Sequence, residues 1–280
     1  METYATVSNA VVRGADAIDY AYRETGTGDP LILLQHFRGN LDSWDPALVD
    51  ALAAGRRVIA FDNAGVGGSS GSTPSTVAEM ARDALAFLDA LGIGRADVLG
   101  FSLGSFVAQE IALSRPDAVR RLVLASAAPQ GAAGMHGWAP EVIGAVGKPE
   151  TGPADYLGVF FTSSDGSRQA GQAALGRMYA RTEGRDQATT WQTRQAQYDA
   201  ICAWGIPDHS RLGRIGGITV PVLVTNGDSD PMIRPRYTHL LGGLLPDARV
   251  VIYPDAAHGF LFQHHEAFAA DVLDFLLQGS

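Results

Sequence analysis

Short, nearly continuous apolar runs recur along the chain, and they limit its fold more than any other feature. A strand with one face in water alternates apolar and polar residues, so an uninterrupted run indicates a strand buried on both faces. Between these runs lie segments with helical period, such as 77–91, whose apolar residues share one stripe and which Gly92 follows as a stop. The alternation predicts an α/β domain with a mostly parallel sheet. The runs are 31–34, 58–61, 98–100, 122–124, 220–225 and 250–253.

The N-terminal segment and a long segment in the middle of the chain do not follow this alternation of apolar runs and helices. Residues 3–13 and 18–23 alternate apolar and polar side chains, which predicts two antiparallel strands. From about residue 131 to 212 no strand-like run is present, and 171–202 has the pattern of a helix. Since roughly 80 residues between two strands is too long for a loop, we predict an inserted helical cap. The domain prediction is therefore a core of 1–130 and 213–280 with a cap of 131–212.

Charge and composition argue against several function classes. The formal net charge is −9, and clustered basic residues are confined to Arg56-Arg57 and Arg120-Arg121, so we expect no nucleic-acid partner. No apolar stretch approaches the length of a membrane span, and the N-terminus lacks the features of a signal peptide, so a cytoplasmic protein without a membrane partner is predicted. The single cysteine, Cys202, excludes an internal disulfide and a C-x-x-C zinc site, and no metal is expected. A homodimer stays an open alternative.

The strongest local motif is Gly100-Phe101-Ser102-Leu103-Gly104. It follows a predicted strand and opens a predicted helix, which is the context that a G-x-S-x-G nucleophile turn requires. Glycine at both ends leaves room for the tight turn, and the helix N-terminus offers positive potential to a developing oxyanion. The motif predicts that Ser102 is a nucleophile.

A serine nucleophile needs a base, and the base needs an orienting carboxylate. Among seven histidines, His258 is favoured because it lies between the last predicted strand and the last helix, at the edge where Ser102 is expected. The strand 220–225 is followed by two candidate carboxylates, Asp228 and Asp230. Asp228 could bind turn amides. We favour Asp230, because Pro231 holds it extended so that it projects from the loop.

With these motifs in the order Ser102, Asp230, His258, the chain resembles the α/β-hydrolase superfamily over essentially its full length, and especially its capped esterase, haloperoxidase-like and C–C-hydrolase branches. The segments 62–69, 227–231 and 258–259 match as well. The resemblance implies an α/β-hydrolase fold with a mostly parallel eight-stranded sheet flanked by helices and an inserted helical cap.

The family's usual His-Gly after the third strand is missing here. Counting back from Trp44, which resembles the family's tryptophan, places Gln35 at the usual histidine and Phe37 at the amide donor. The resemblance thus implies an oxyanion hole made by the backbone N–H groups of Phe37 and Leu103. Gln35 and His36 either tune the pocket or support the turn, and Arg38 either contacts substrate or faces solvent.

The resulting hypothesis is a serine hydrolase that cleaves a small or medium hydrophobic ester or lactone without a cofactor. The alternatives are a C–C bond hydrolase, a perhydrolase, a non-hydrolytic lyase or cyclase, and a ligand-binding protein on the same fold. The cap supplies a predicted apolar substrate pocket. Its candidate residues are Trp138, Phe160, Phe161, Trp191 and Trp204.

Overall fold

The computed structural model describes residues 2–135 and 137–278. Its eight strands form one sheet in the order β1-β2-β4-β3-β5-β6-β7-β8. The first two strands pair antiparallel, β2 is antiparallel to β4, and every later pairing is parallel. The predicted fold class is confirmed. The strands are β1 Ala10–Arg13, β2 Asp19–Thr25, β3 Pro30–Leu34, β4 Arg57–Phe61, β5 Ala96–Phe101, β6 Val119–Ala125, β7 Val222–Gly227 and β8 Ala248–Tyr253.

The first strand is shorter than predicted. It begins at Ala10, because the preceding residues form a turn in which the amides of Thr6 and Val7 both donate to the Thr3 carbonyl. Tyr4 explains why the alternation was misleading: its ring is buried and its hydroxyl donates to the Leu41 carbonyl at 2.8 Å. The apolar side chain packs into the core without a strand around it.

Helices cover the sheet and fill the long insertion between β6 and β7. Helix α3 packs against β3, β5 and β6, and α1 packs against α11. The predicted single helix of 171–202 is two helices, separated by a non-helical stretch at 179–190. The helices are α1 Pro46–Ala53, α2 Val77–Ala90, α3 Leu103–Ser114, α4 Pro140–Val146, α5 Pro153–Phe160, α6 Asp165–Met178, α7 Trp191–Trp204, α8 His209–Gly213, α9 Pro235–Leu244, α10 Phe260–Gln263 and α11 His265–Leu277.

The insertion therefore contains α4 to α8, and the chain between α4 and α5 is irregular. Residues 148–153 of that region are exposed. Among the described residues, no helix is long and apolar enough to cross a membrane.

Candidate active site

The turn after β5 holds Ser102 in a conformation that L-residues rarely adopt, with φ 55° and ψ −117°. Two glycines allow this turn to pack. A Cβ on Gly100 would lie 2.3 Å from the Gly104 carbonyl oxygen, and one on Gly104 would lie 2.1 Å from the Leu34 carbonyl oxygen. Neither contact leaves room for a side chain. The Ser102 amide donates to the Ala125 carbonyl at 2.9 Å, which fixes the turn to the neighbouring strand β6.

Ser102, His258 and Asp230 form a continuous hydrogen-bonded chain. The Ser102 Oγ lies 2.9 Å from His258 Nε2, and His258 Nδ1 lies 2.8 Å from Asp230 Oδ2. All three side chains are buried. A carboxylate only accepts, so Nδ1 carries the proton in this arrangement and the Nε2 lone pair is free to accept the serine proton.

The two aspartates after β7 have different partners. Asp230 Oδ2 meets His258, and its Oδ1 accepts the amides of Met232 at 2.8 Å and Ile233 at 3.0 Å. Asp228 is exposed, and its carboxylate accepts the amides of Asp255 at 2.9 Å and Ala256 at 3.2 Å. Asp230 is thus the carboxylate that contacts the imidazole, whereas Asp228 holds the loop that carries it.

That loop approaches β7 closely. A Cβ on Gly227 would lie 2.2 Å from the Ala256 carbonyl oxygen, so glycine at this strand end lets the His258 loop reach the sheet edge. The same loop is bound to the inserted helices, because the Gly259 amide donates to the Phe160 carbonyl at 2.7 Å.

The loop after β3 brings the other predicted amide donor to the same edge of the sheet. Neither the Phe37 nor the Leu103 amide N–H donates a hydrogen bond to another residue within 2–135 or 137–278. Leu103 begins α3, so its free N–H adds to the positive end of the helix dipole. Gln35 shapes the turn: its Oε1 accepts the His36 amide at 2.8 Å and its Nε2 donates to the Asn40 carbonyl at 3.2 Å.

His36 lines the cavity beside Ser102. Its Nδ1 lies 2.8 Å from the Phe37 carbonyl, which can only accept, so Nδ1 is the protonated nitrogen of the neutral ring. The ring packs edge-on against Phe101 and Phe160, and its Nε2 is buried without a hydrogen-bond partner in the described chain. Burial lowers the pKa of His36 to about 3, and His258 nearby adds to that direction.

A cavity of about 620 Å³ opens above Ser102 and His258. Its wall is largely apolar on one side, formed by Phe37, Val146, Tyr156, Phe160, Leu175, Met178 and Met232. A polar end is formed by Asn40, Asp42, Ser43, Arg185 and Asp186, and the irregular residues 149–152 with Pro153 form part of its rim. A cleft of this size and lining suits a small to medium organic ligand.

The predicted pocket aromatics divide into two groups. Phe160 lines the cavity and its ring meets that of His258 edge-on at 5.2 Å. The other four predicted aromatics do not line it. Trp204 stacks on Phe106 and donates to the Ala128 carbonyl at 3.1 Å, and Trp191 is half exposed beside Arg194. Trp138 packs against Phe37 and Tyr198, and Phe161 is buried against Tyr156.

Arg38 does not simply face solvent. Its guanidinium donates to the carbonyls of Lys148 and Pro149, each at 2.8 Å, and it is half-buried rather than free in solvent. It also lines the cavity, although its donors point to backbone carbonyls of the insertion.

Several cavity residues were absent from the predicted substrate-binding set. Tyr156 stacks on Phe160 with ring centroids 3.9 Å apart, and among the described residues its hydroxyl has only the Met178 sulfur as a partner, at 4.0 Å. Met232 follows Asp230 by two residues, and this proximity was a usable signal. The sequence gives no such signal for Tyr156 or residues 149–153, because no nearby motif places them above Ser102. In the chain as described, no cluster of three or more His, Cys, Asp or Glu side chains could hold a metal ion.

Comparison with known proteins decides the family. A family model described as alpha/beta hydrolase fold matches residues 29–265. The chain belongs to this family. A solved α/β-hydrolase fold protein from Chitinophaga pinensis is 42% identical, with a TM-score of 0.93 over 99% of this chain and 100% of that one.

Two relatives with assigned names are similar over most of their length. BpoC of Mycobacterium tuberculosis, which carries the name of a non-heme bromoperoxidase, is 30% identical over 92% of this chain and 97% of its own. A poly(3-hydroxyalkanoate) depolymerase from Ectopseudomonas oleovorans is 30% identical over 89% of this chain and 84% of its own. Relatives at this level are named for different reactions, so family membership leaves the substrate open.

Proposed function

We propose that this α/β hydrolase is a serine hydrolase that cleaves a small or medium hydrophobic ester or lactone through an acyl-enzyme. The observation that carries the proposal is the relay from Ser102 Oγ to His258 Nε2 at 2.9 Å and from His258 Nδ1 to Asp230 Oδ2 at 2.8 Å, at the base of a cavity. The name of the depolymerase, a polyester-cleaving relative, supports an ester bond as the target.

In the first half-reaction His258 Nε2 takes the Ser102 proton as Oγ attacks the substrate carbonyl. Asp230 keeps the imidazole in the tautomer that can do this, and it stabilises the imidazolium that forms. The charge on the carbonyl oxygen is met by the amides of Phe37 and Leu103, and one such donor contributes about 10²–10³-fold to the rate. His258 then gives its proton to the leaving alcohol.

In the second half-reaction a water molecule replaces the alcohol. His258 accepts its proton, the water oxygen attacks the acyl carbon, and Ser102 leaves with the proton that the imidazolium returns. Apart from the substrate, every group in this proposed cycle belongs to the chain or to solvent.

The cavity supports an apolar acyl or alcohol group. The wall beside Ser102 is formed by Phe160, Phe37 and Met232, and a volume of about 620 Å³ exceeds what an acetate ester would fill. We therefore expect turnover to improve from acetate to butyrate and hexanoate esters.

Perhydrolysis is the second candidate, and the similarity to BpoC favours it specifically. It needs the same acyl-enzyme, with hydrogen peroxide in place of water, and it gives a peracid. Peracid formation from acetate and hydrogen peroxide with a higher kcat than the hydrolysis of p-nitrophenyl esters would make it the primary activity.

The first experiment locates the nucleophile. The protein is treated with a fluorophosphonate probe and the labelled residue is identified by mass spectrometry. We expect one label, on Ser102, and none in Ser102→Ala. Labelling at another residue, or none in the wild type, would reject a Ser102 nucleophile and favour a ligand-binding protein or a lyase that spares the serine.

The second experiment tests the reaction. Wild type and Ser102→Ala are compared on p-nitrophenyl acetate, butyrate and hexanoate. Loss of the serine removes the nucleophile, so the rate should fall by about 10⁴-fold or more. Equal rates in the two proteins would eliminate esterase activity, and a C–C bond substrate would then be tested in its place.

A further inference from the structure

Arg38 links the loop that carries the Phe37 amide to the inserted helices. Arg38 has φ 65°, in the left-handed region, so an L-residue holds this backbone shape only with outside support. The support comes from the insertion. The Arg38 amide donates to the buried Gln197 Oε1 at 2.7 Å, and its carbonyl accepts the Thr189 hydroxyl at 2.7 Å.

The Arg38 side chain extends the link to the cavity rim. Its guanidinium donates to the Lys148 and Pro149 carbonyls at 2.8 Å each, and to the Val146 carbonyl at 3.4 Å. Val146 ends α4, where the helix dipole is negative and favours a cation. One residue therefore touches both the irregular rim between α4 and α5 and the region of α7.

The Phe37 carbonyl and the Arg38 amide belong to one peptide plane, which adjoins the plane that carries the Phe37 N–H. His36 Nδ1 donates to this carbonyl at 2.8 Å, and this amide donates to Gln197. Reorienting the plane would break both bonds and would change the torsions at Phe37 that orient its N–H. A shift of about 1 Å in a reacting group can cost about 10²-fold in rate.

We propose that Arg38 is a positioning residue. Through its bonds to the Lys148 and Pro149 carbonyls, it makes the position of the Phe37 amide depend on the position of the cavity rim. The inference rests on the proposed function, because it takes the Phe37 N–H as an oxyanion donor. Its consequence is that a change in the rim also changes the oxyanion hole. Ground-state binding depends on this link far less than transition-state stabilisation does.

The experiment compares Arg38→Gln with a matched control, Arg181→Gln. Arg181 also ties the insertion to the core through backbone carbonyls, those of Ala5 at 3.1 Å and Val7 at 2.8 Å, but it lies outside the cavity lining. An alkyl trifluoromethyl ketone is added to each protein, and its hemiketal with Ser102 is quantified by ¹⁹F NMR. The hemiketal oxyanion reports the amide donors directly, whether or not an ester turns over.

We expect Arg38→Gln to weaken the hemiketal and lower kcat by about 10²-fold, with KM for p-nitrophenyl butyrate changed by less than about threefold. Arg181→Gln should stay within about twofold of wild type in all three values. The inference is overturned if Arg38→Gln matches Arg181→Gln, or if it raises KM alone. If the wild type forms no hemiketal and Ser102 takes no label, the proposed function fails, which is a separate result.

Circular dichroism melting establishes that each variant is folded. Should Arg38→Gln fail this check, Thr189→Val carries the test, since it removes only the bond to the Arg38 carbonyl. Its expected loss is about fivefold in hemiketal affinity and in kcat, with KM again unchanged. No loss in a folded Thr189→Val would overturn the inference.

Discussion

The turn at Ser102 and the turn at Arg38 leave the same edge of the sheet, and both hold a non-glycine residue at positive φ. They are stabilised in different ways. The Ser102 turn is held within the core, by close backbone packing at two glycines and by a bond to β6. The Arg38 turn has local bonds from Gln35 as well, but Arg38 itself is held by residues of the insertion, Gln197 and Thr189.

The site therefore has two parts. The core part, the Ser102 turn, is fixed by neighbouring residues of the core, and the assembled part, the Arg38 turn, depends on contacts with the insertion. A strained turn inside the core survives changes in the insertion, because its supports lie in β5, β6 and α3. The Arg38 turn is supported by residues of the insertion, so it responds to whatever changes the insertion. The proposed nucleophile and oxyanion donor should therefore differ in their sensitivity to mutations far along the chain.

The largest expected effect is a loss of kcat on mutation of Asp230, which contacts His258. Asp230→Asn should lower kcat by about 10⁴-fold, because an amide can donate to His258 Nδ1 and so stabilise the wrong tautomer. Asp228→Asn is the matched control, two residues away, and should lose no more than about tenfold, since Asp228 binds loop amides. Steady-state kinetics on a butyrate ester measures both. A larger loss in Asp228→Asn would reverse the assignment.

The next effect tests the packing of the Ser102 turn. Gly104→Ala should reduce the free energy of unfolding by about 3 kcal/mol, because its Cβ would lie 2.1 Å from a backbone oxygen of β3 that moves only with the sheet. Gly176→Ala in α6 is the control: its Cβ would meet nothing within 4 Å. Urea denaturation should show this control unchanged or slightly more stable. Equal stability of the two variants would show that the turn tolerates a side chain.

A smaller effect is expected on the assembled part. Gln197→Leu keeps a side chain of similar volume in α7 and removes the acceptor of the Arg38 amide, so kcat for p-nitrophenyl butyrate should fall about tenfold. The ¹H NMR resonance of the His258 Nδ1 proton, which reports the bond to Asp230, should stay at its wild-type position. A displaced resonance alongside the lower kcat would mean that the two parts of the site are not separable.

A last effect, on stability alone, concerns His36, which contacts Phe101 of the core and Phe160 of the insertion. Its pKa is lowered to about 3 from 6.5, so the unfolded chain binds its proton more readily between these values. Stability from this residue is complete above about pH 6.5 and is lost on acidification toward pH 3, by about 1.4 kcal/mol per pH unit. His36→Gln should have a shallower fall in unfolding free energy between pH 6 and 4. If the unfolding free energies of the two proteins fell in parallel with pH, His36 would not be the cause of this acid destabilisation.

Sequence alone predicted most of the core and the partners at Ser102, because local patterns determine them. Uninterrupted apolar runs coincide with strands along the chain, although β8 at the sheet edge is only partly buried. The G-x-S-x-G motif between strand and helix is explained by the space that its turn requires. Tyr4 shows the limit: an apolar side chain in an alternating segment was buried by tertiary packing without a strand. The sequence argument from Pro231 favours Asp230, and in the structure Asp230 contacts His258 while Asp228 binds loop amides.

The insertion was less predictable. Whether an aromatic side chain lines a cavity depends on how helices dock, so Trp204 and Phe160 look alike in sequence yet only Phe160 faces the site. Arg38 illustrates the same point, since its partners at 148 and 149 are backbone carbonyls, which no side-chain pattern encodes.

The bonds between the β3 loop and the insertion also define what can be exchanged between relatives. A graft of 131–212 alone would keep Ser102, Asp230 and His258 but would separate Arg38 from the carbonyls it binds. Asn40 would lose the Gln187 carbonyl, and Asp42 would lose the Asp186 amide. The cavity is thus shaped by two separate segments of the chain. Recombination that seeks new substrates has to move residues 35–42 together with the insertion.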